Sequence, residues 1–210
     1  VTYIFCGHDV EGKVAIARSL LKELQSATVI VSNLAVGRRV VPKKTGAIEL
    51  IEYTTETPQP PSQALVGHVV VLSHDLARPS RIAAAVASEG RTARLLAVLD
   101  ARSFLDEWES SAKLPSSMRE AGKKDMRAHL YDKKACEVLA EHVESADVIA
   151  LSHTEAVDVD ELEMLEAMLH ELNPFANILR RTGDGAGGGR LLEHVAKADA
   201  GRPDPSERGG

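Results

Sequence analysis

The 210-residue chain reads as an α/β protein, a doubly wound, mainly parallel sheet with helices on both faces. Three observations predict it. Short, nearly uninterrupted apolar runs recur along the chain, as in strands buried on both sides. Between them lie segments whose apolar residues repeat at helical spacing, and this alternation marks parallel strands joined by helical crossovers. The first apolar run also passes straight through a glycine-bearing turn into a helix, within residues 2–24.

Residues 2–6 are rich in β-branched and aromatic side chains and predict the first strand, 7–14 have loop chemistry, and a helix follows over about 13–25. Ile16, Leu20, Leu21 and Leu24 share one face of that helix. Residues 28–32 predict a second buried strand. The segment 37–45, with Arg38, Arg39, Lys43 and Lys44, reads as a basic solvated loop, and 47–53 as a further strand. Pro58, Pro60 and Pro61 make 54–63 an exposed excursion, because proline cannot sit in a central strand.

Residues 69–72 form the next strand, and Pro79 opens a helix to Ser88. A strand over 94–99 closes at Asp100, then come a helix over 103–112, a polar loop over 114–124 and a long helix over 126–145. That helix turns Leu130, Ala135, Val138, Leu139 and Val143 inward. A strand over 148–151, a helix over 158–172 stopped by Asn173-Pro174 and an edge strand over 176–179 follow. After a glycine loop at 183–189 and a helix over 191–198, the expectation is one folded domain, 1–198, and a disordered tail, 199–210.

A net charge of −6 and an aromatic content of 3% argue against nucleic acid as a partner, which calls for basic surface and stacking platforms. No apolar stretch is long enough for a bilayer, so no membrane partner is expected. The chain starts in a strand without a targeting leader, and a cytoplasmic location is the expectation. Cys6 and Cys136 are too isolated for a disulfide framework or thiolate metal site and read as core fillers.

The turn after the first strand carries Gly7-x-x-x-x-Gly12-Lys13, the frame in which helix N-terminal amides surround a phosphate and the lysine reaches its outer oxygens. Val14 stands where that frame places a Mg²⁺-binding hydroxyl. Further on, Leu72-Ser73-His74-Asp75-Leu76-Ala77-Arg78-Pro79, Leu99-Asp100-Ala101 with Phe104, Ala146-Asp147-Val148-Ile149-Ala150-Leu151-Ser152-His153-Thr154-Glu155 and Leu172-Asn173-Pro174-Phe175-Ala176 follow in order. Together these stretches resemble the nucleotide-binding domain of CobW-type proteins, P-loop GTPases related to HypB and UreG and implicated in metallocentre assembly. The resemblance covers residues 1–181 and implies a P-loop NTPase-like fold, GTP or another nucleotide as ligand, and Gly7, Gly12, Lys13, Val14, Thr154 and Glu155 as its contacts.

The departures from that family fall on functional positions. Val10-Glu11 replaces a small, neutral pair in the loop, and a carboxylate there repels phosphate unless it points away. Val14 and Leu72 replace both protein contributions to Mg²⁺, so Mg²⁺ is not expected. Ser152, His153 and Glu155 replace the family's Asn, Lys and Asp at the guanine site, and its Cys-x-Cys-Cys motif is absent. The resulting expectation is a degenerate nucleotide-binding domain acting as a regulatory or interaction module related to metal-cofactor assembly, beside a metalloprotein or paralogous GTPase partner. A slow GTPase metallochaperone delivering a divalent metal and a purely structural remnant are the alternatives. Histidines beside carboxylates at three strand ends add a candidate divalent-metal site, suited to Zn²⁺, at His8 and His74, with His153 expected to lie too far away to join them.

Overall fold

A strand turns successive side chains to opposite faces, so one that is apolar at every position needs cover on both. The computed structural model, which describes residues 1–24, 26–31, 34–41, 48–52, 67–73, 78–109, 134–182 and 191–201, supplies that cover. Seven strands, β1 (Thr2–Cys6), β2 (Ala27–Val31), β3 (Ile48–Glu52), β4 (Val69–Leu72), β5 (Ala93–Asp100), β6 (Val148–Ser152) and β7 (Asn177–Arg180), pair in the order β3-β2-β4-β1-β5-β6-β7. Every pairing is parallel.

On one face Tyr3, Phe5, Val29, Val70, Leu96 and Val98 pack with α1 (Val10–Leu24), α2 (Leu34–Val40) and α7 (Leu191–Gly201). The opposite face takes the alternate residues. Ile4, Ile30, Val71 and Leu95 meet α3 (Pro79–Ser88), while Cys6, Ala97, Leu99, Ile149 and Leu151 meet α4 (Phe104–Glu109), α5 (Ala135–Ser145) and α6 (Val159–Leu172). The doubly wound expectation is thereby met, and β7 lies at a sheet edge as expected.

Polar residues hold the frame where apolar ones cannot. Asp147, 4% exposed, accepts the Leu95 N–H at 2.8 Å and joins the start of β6 to β5. Asn173 donates from Nδ2 to the carbonyls of Val143 and Ala146 at 2.7 and 2.9 Å, adding a side-chain donor at the end of α5, where the Val143 carbonyl also accepts the Ala146 N–H at 3.2 Å. Glu23 accepts the Leu191 N–H at 3.1 Å and so serves the first turn of α7 from α1.

Three boundaries differ from the sequence expectation. α1 begins at Val10 rather than near Lys13, because Asp9 provides the helix start with a cap. Within the expected loop 37–45, residues 37–40 belong to the helix Leu34–Val40, and Gly37 fits there against Leu50 and Val31. α7 continues to Gly201, beyond the 198 boundary. The expected excursion at 54–63, the polar loop at 114–124, Lys43, Lys44, the glycine loop at 183–189 and the remainder of the tail lie outside the described residues.

Candidate functional site at the carboxyl ends of the central strands

The chain leaves β1 through only Gly7, His8 and Asp9 before α1 begins. Gly7 has φ +104, and a Cβ there would lie 2.0 Å from the Val98 carbonyl oxygen of β5. The turn is tight because glycine alone permits both that backbone and that approach. Asp9 then caps α1. Its Oδ1 accepts the Gly12 N–H at 2.8 Å, its main-chain oxygen accepts the Lys13 N–H at 2.9 Å, and its Oδ2 accepts the Ser152 hydroxyl from β6. A carboxylate thus occupies the helix start, where uncapped amides favour an anion.

Gly12, Lys13 and Val14 are consequently helical and buried. Lys13, 4% exposed, sends Nζ toward β4 and donates to the Ser73 carbonyl at 3.4 Å. Ser73 is tied back to β1, its hydroxyl donating to the Phe5 carbonyl at 2.6 Å. Val14 and Leu72, at the two places where the resemblance implies Mg²⁺ ligands, are 3% and 4% exposed and belong to the same apolar cluster. Neither side chain carries an oxygen. Leu72 lies on β4 opposite Phe5 of β1, so the two strands that flank such a site are adjacent here.

At the end of β6, His153 adopts φ 57, the left-handed region that non-glycine residues enter only when held there. It starts a single 3-10 turn, Thr154–Ala156, in which Thr154 donates from Oγ1 to the Arg181 carbonyl at 3.1 Å and Glu155 is exposed. Asp100 ends β5 and accepts Arg102 in both ways: the main-chain N–H at 3.0 Å, and the guanidinium at 2.9 and 2.6 Å. Burial works to raise the Asp100 pKa, but the hydrogen bonds and charge of Arg102, with help from His153, outweigh it and hold the carboxyl below its ordinary range.

A cavity of about 250 Å³ opens between this turn and α4, lined among others by His8, Asp9, Glu11, Asp100 and Glu107. His8 Nδ1 stands 3.4 Å from Glu107, and its ring meets His142 edge-on at 5.9 Å between centroids. The hydrogen bond from His8, set against burial and aided by Ser103, holds the Glu107 carboxyl below its ordinary range. Arg39, from the segment expected to be a basic loop, bonds Glu11 instead, and that bond lowers the Glu11 pKa.

The structure thus gathers Gly7, Gly12, Lys13 and Val14 at one strand-to-helix turn, with Thr154 and Glu155 two strands away across β5. His74 lies outside the described residues, so its pairing with His8 has no geometry here. The same holds for the expected separation of His153 from His74, while His153 has a ligand atom within 4.8 Å of Asp9 and Asp100. Arg102 and Ser152 were not foreseen as partners of the two aspartates. Their only signal was position at a strand end.

A seven-stranded parallel sheet with Gly7-x-x-x-x-Gly12-Lys13 at the turn after its central strand defines a P-loop NTPase-like α/β domain. Its fold is similar to that of the hydrogenase maturation factor HypB from Archaeoglobus fulgidus, at 14% identity over 95% of this chain and 89% of that one, with a TM-score of 0.51. FtsY from Mycoplasma mycoides aligns at 10% identity over 96% of this chain and 67% of that one, with a TM-score of 0.47. No family model and no curated protein matches the sequence. Among the described residues, no helix is long and apolar enough to cross a membrane.

Proposed function

We propose that the domain is a degenerate P-loop module that binds GTP or another nucleotide weakly and without Mg²⁺, and acts as a regulatory or interaction partner rather than as a GTPase. The observation that carries this reading is the Asp9 carboxylate on the Gly12 N–H at 2.8 Å, a built-in anion in the seat of a phosphate. The apolar setting of Val14 and Leu72 supports the loss of Mg²⁺. A triphosphate entering here displaces Asp9, uses Gly7, Gly12 and Lys13 for its phosphates and meets Thr154 and Glu155 at its base. The likeness in fold to a hydrogenase maturation factor, with the CobW-type resemblance, is what links the module to metal-cofactor assembly, beside a metalloprotein or paralogous GTPase.

Equilibrium dialysis with GTP and ATP, with and without Mg²⁺, tests the reading. Weak binding insensitive to Mg²⁺, strengthened by Asp9→Ala and lost in Lys13→Ala, is the expected result. Tight, Mg²⁺-dependent GTP binding with turnover that Lys13→Ala abolishes would establish a GTPase instead. No binding in any variant leaves only a structural role.

A further inference from the structure

Asp9, Asp100 and His153 lie at the ends of three neighbouring strands, β1, β5 and β6, and each brings one ligand atom to within 4.8 Å of the other two. We propose that these side chains form a binding site for a divalent transition-metal ion of the zinc type. The inference is independent of the nucleotide reading.

The donor set is two carboxylate oxygens and one imidazole nitrogen, the mixture that suits Zn²⁺, Co²⁺ and their neighbours better than Mg²⁺ or Ca²⁺, which favour oxygen throughout. An ion at about 2.1 Å from each donor places them roughly 3.4 Å apart in a tetrahedron. From separations of 4.8 Å or less, small side-chain rotations close the site. Asp9 and Asp100 also line the cavity of about 250 Å³, which leaves room for water or a ligand at a fourth position.

Outer contacts already orient the donors. Asp9 is held by the Gly12 N–H and the Ser152 hydroxyl, and Ser152 is 1% exposed. Asp100 is held by the Arg102 main-chain N–H at 3.0 Å. His153 has Nδ1 3.9 Å from Glu155 Oε1. Partners of this kind govern metal affinity nearly as strongly as the ligands do.

Two further observations bear on this cluster and the cavity beside it. The cluster already holds one positive charge, the Arg102 guanidinium on Asp100, and that side chain is half exposed, so it can swing into solvent when an ion arrives. On the wall of the same cavity, His8 Nε2 is enclosed without a hydrogen-bond partner among the described residues.

The test is a nucleotide-free titration of the purified protein with Co²⁺ followed by visible absorption, and with Zn²⁺ by calorimetry. One equivalent is expected to bind, and Asp100→Asn and His153→Asn are each expected to weaken it about tenfold or more. Asparagine tolerates the left-handed backbone at position 153, so this variant removes the imidazole with little strain. Arg102→Gln keeps all three ligands, removes the competing cation and is expected to tighten binding. His8→Ala is expected to leave the affinity within about twofold, since its ring is not a ligand in this set. The proposal is overturned by absence of binding at millimolar metal, by binding that His153→Asn or Arg102→Gln leaves unchanged, or by binding that His8→Ala abolishes. Because nucleotide is absent, failure here does not touch the dialysis result, and the reverse holds too.

Discussion

Replacing Gly7 by alanine separates a glycine required by the fold from one required by a ligand. At φ +104 a side-chain-bearing residue carries backbone strain of about 1–3 kcal/mol. The new Cβ also meets the Val98 carbonyl oxygen at 2.0 Å and its carbon at 2.9 Å, both backbone atoms of a strand paired on each side. Val98 is fully buried, so β5 yields only by disturbing its registers with β1 and β6. Strain and clash together amount to roughly 3–5 kcal/mol, a large part of the stability of an ordinary domain. Gly12→Ala is the internal control. There the Cβ meets the Asp9 carboxylate, a side chain that can rotate away, and Val98 Cγ1 at 3.0 Å, which need give only a few tenths of an ångström; the loss of a cap, about 1 kcal/mol, is offset by the helical gain of alanine over glycine, also about 1 kcal/mol. Urea unfolding followed by circular dichroism measures both. A Gly7→Ala cost below about 1 kcal/mol, or a Gly12→Ala cost equal to it, refutes the assignment of Gly7 to the fold.

Three other outcomes follow from the packing. Cys6 is fully buried, and burial, only partly opposed by Lys13, pushes its thiol up to about 12, while Cys136 is half-buried. Brief iodoacetamide treatment read by mass spectrometry therefore labels Cys136 first and Cys6 only on unfolding. Asn173→Ala removes the side-chain donor to the Ala146 carbonyl, while the Val143 carbonyl keeps the Ala146 N–H at 3.2 Å, and should cost about 1–3 kcal/mol in denaturant titration, with the fold retained. The lowered pKa of Glu107 contributes stability above the ordinary carboxylate range, and that contribution fades as pH falls through the lower folded value. Glu107→Gln should thus flatten the acid limb of the urea midpoint against pH; an unchanged limb contradicts the His8 contact.

The sheet was legible because both of its faces are buried. Phe5 and Cys6, or Leu96 and Ala97, face opposite layers, so each strand announces itself as an unbroken apolar run. The helix start at Val10 was less legible, since Gly12 and the loop frame argued for a later start, and the cap that overrides them depends on where the Asp9 side chain lies. Asn173 illustrates a different limit. Its Asn-Pro signature marked the end of a helix, yet its side chain serves the carbonyls of another helix, a pairing that no local pattern encodes. The gathering of Asp9, Asp100 and His153 had the same obstacle: all three were visible as strand-end residues, but their mutual distance depends on strand order, with β5 lying between β1 and β6. Arg102 was hidden for the opposite reason, because a contact only two residues away leaves no periodic trace.

The departures from the phosphate-loop pattern share one electrostatic logic. A site for a triphosphate needs positive charge from a lysine, helix amides and a metal ion acting together. Here Val14 and Leu72 supply hydrocarbon, Lys13 is turned onto the Ser73 carbonyl, and Asp9 takes an amide at the helix start. Asp9, Glu11, Asp100 and Glu107 line the adjoining cavity, while Arg39 and Arg102 are engaged by Glu11 and Asp100. The cavity beside the helix start is thus lined by four carboxylates, two of which hold a guanidinium. A cavity lined by carboxylates favours a cation over an anion, and that one preference underlies both the proposed loss of Mg²⁺-dependent nucleotide binding and the proposed metal site.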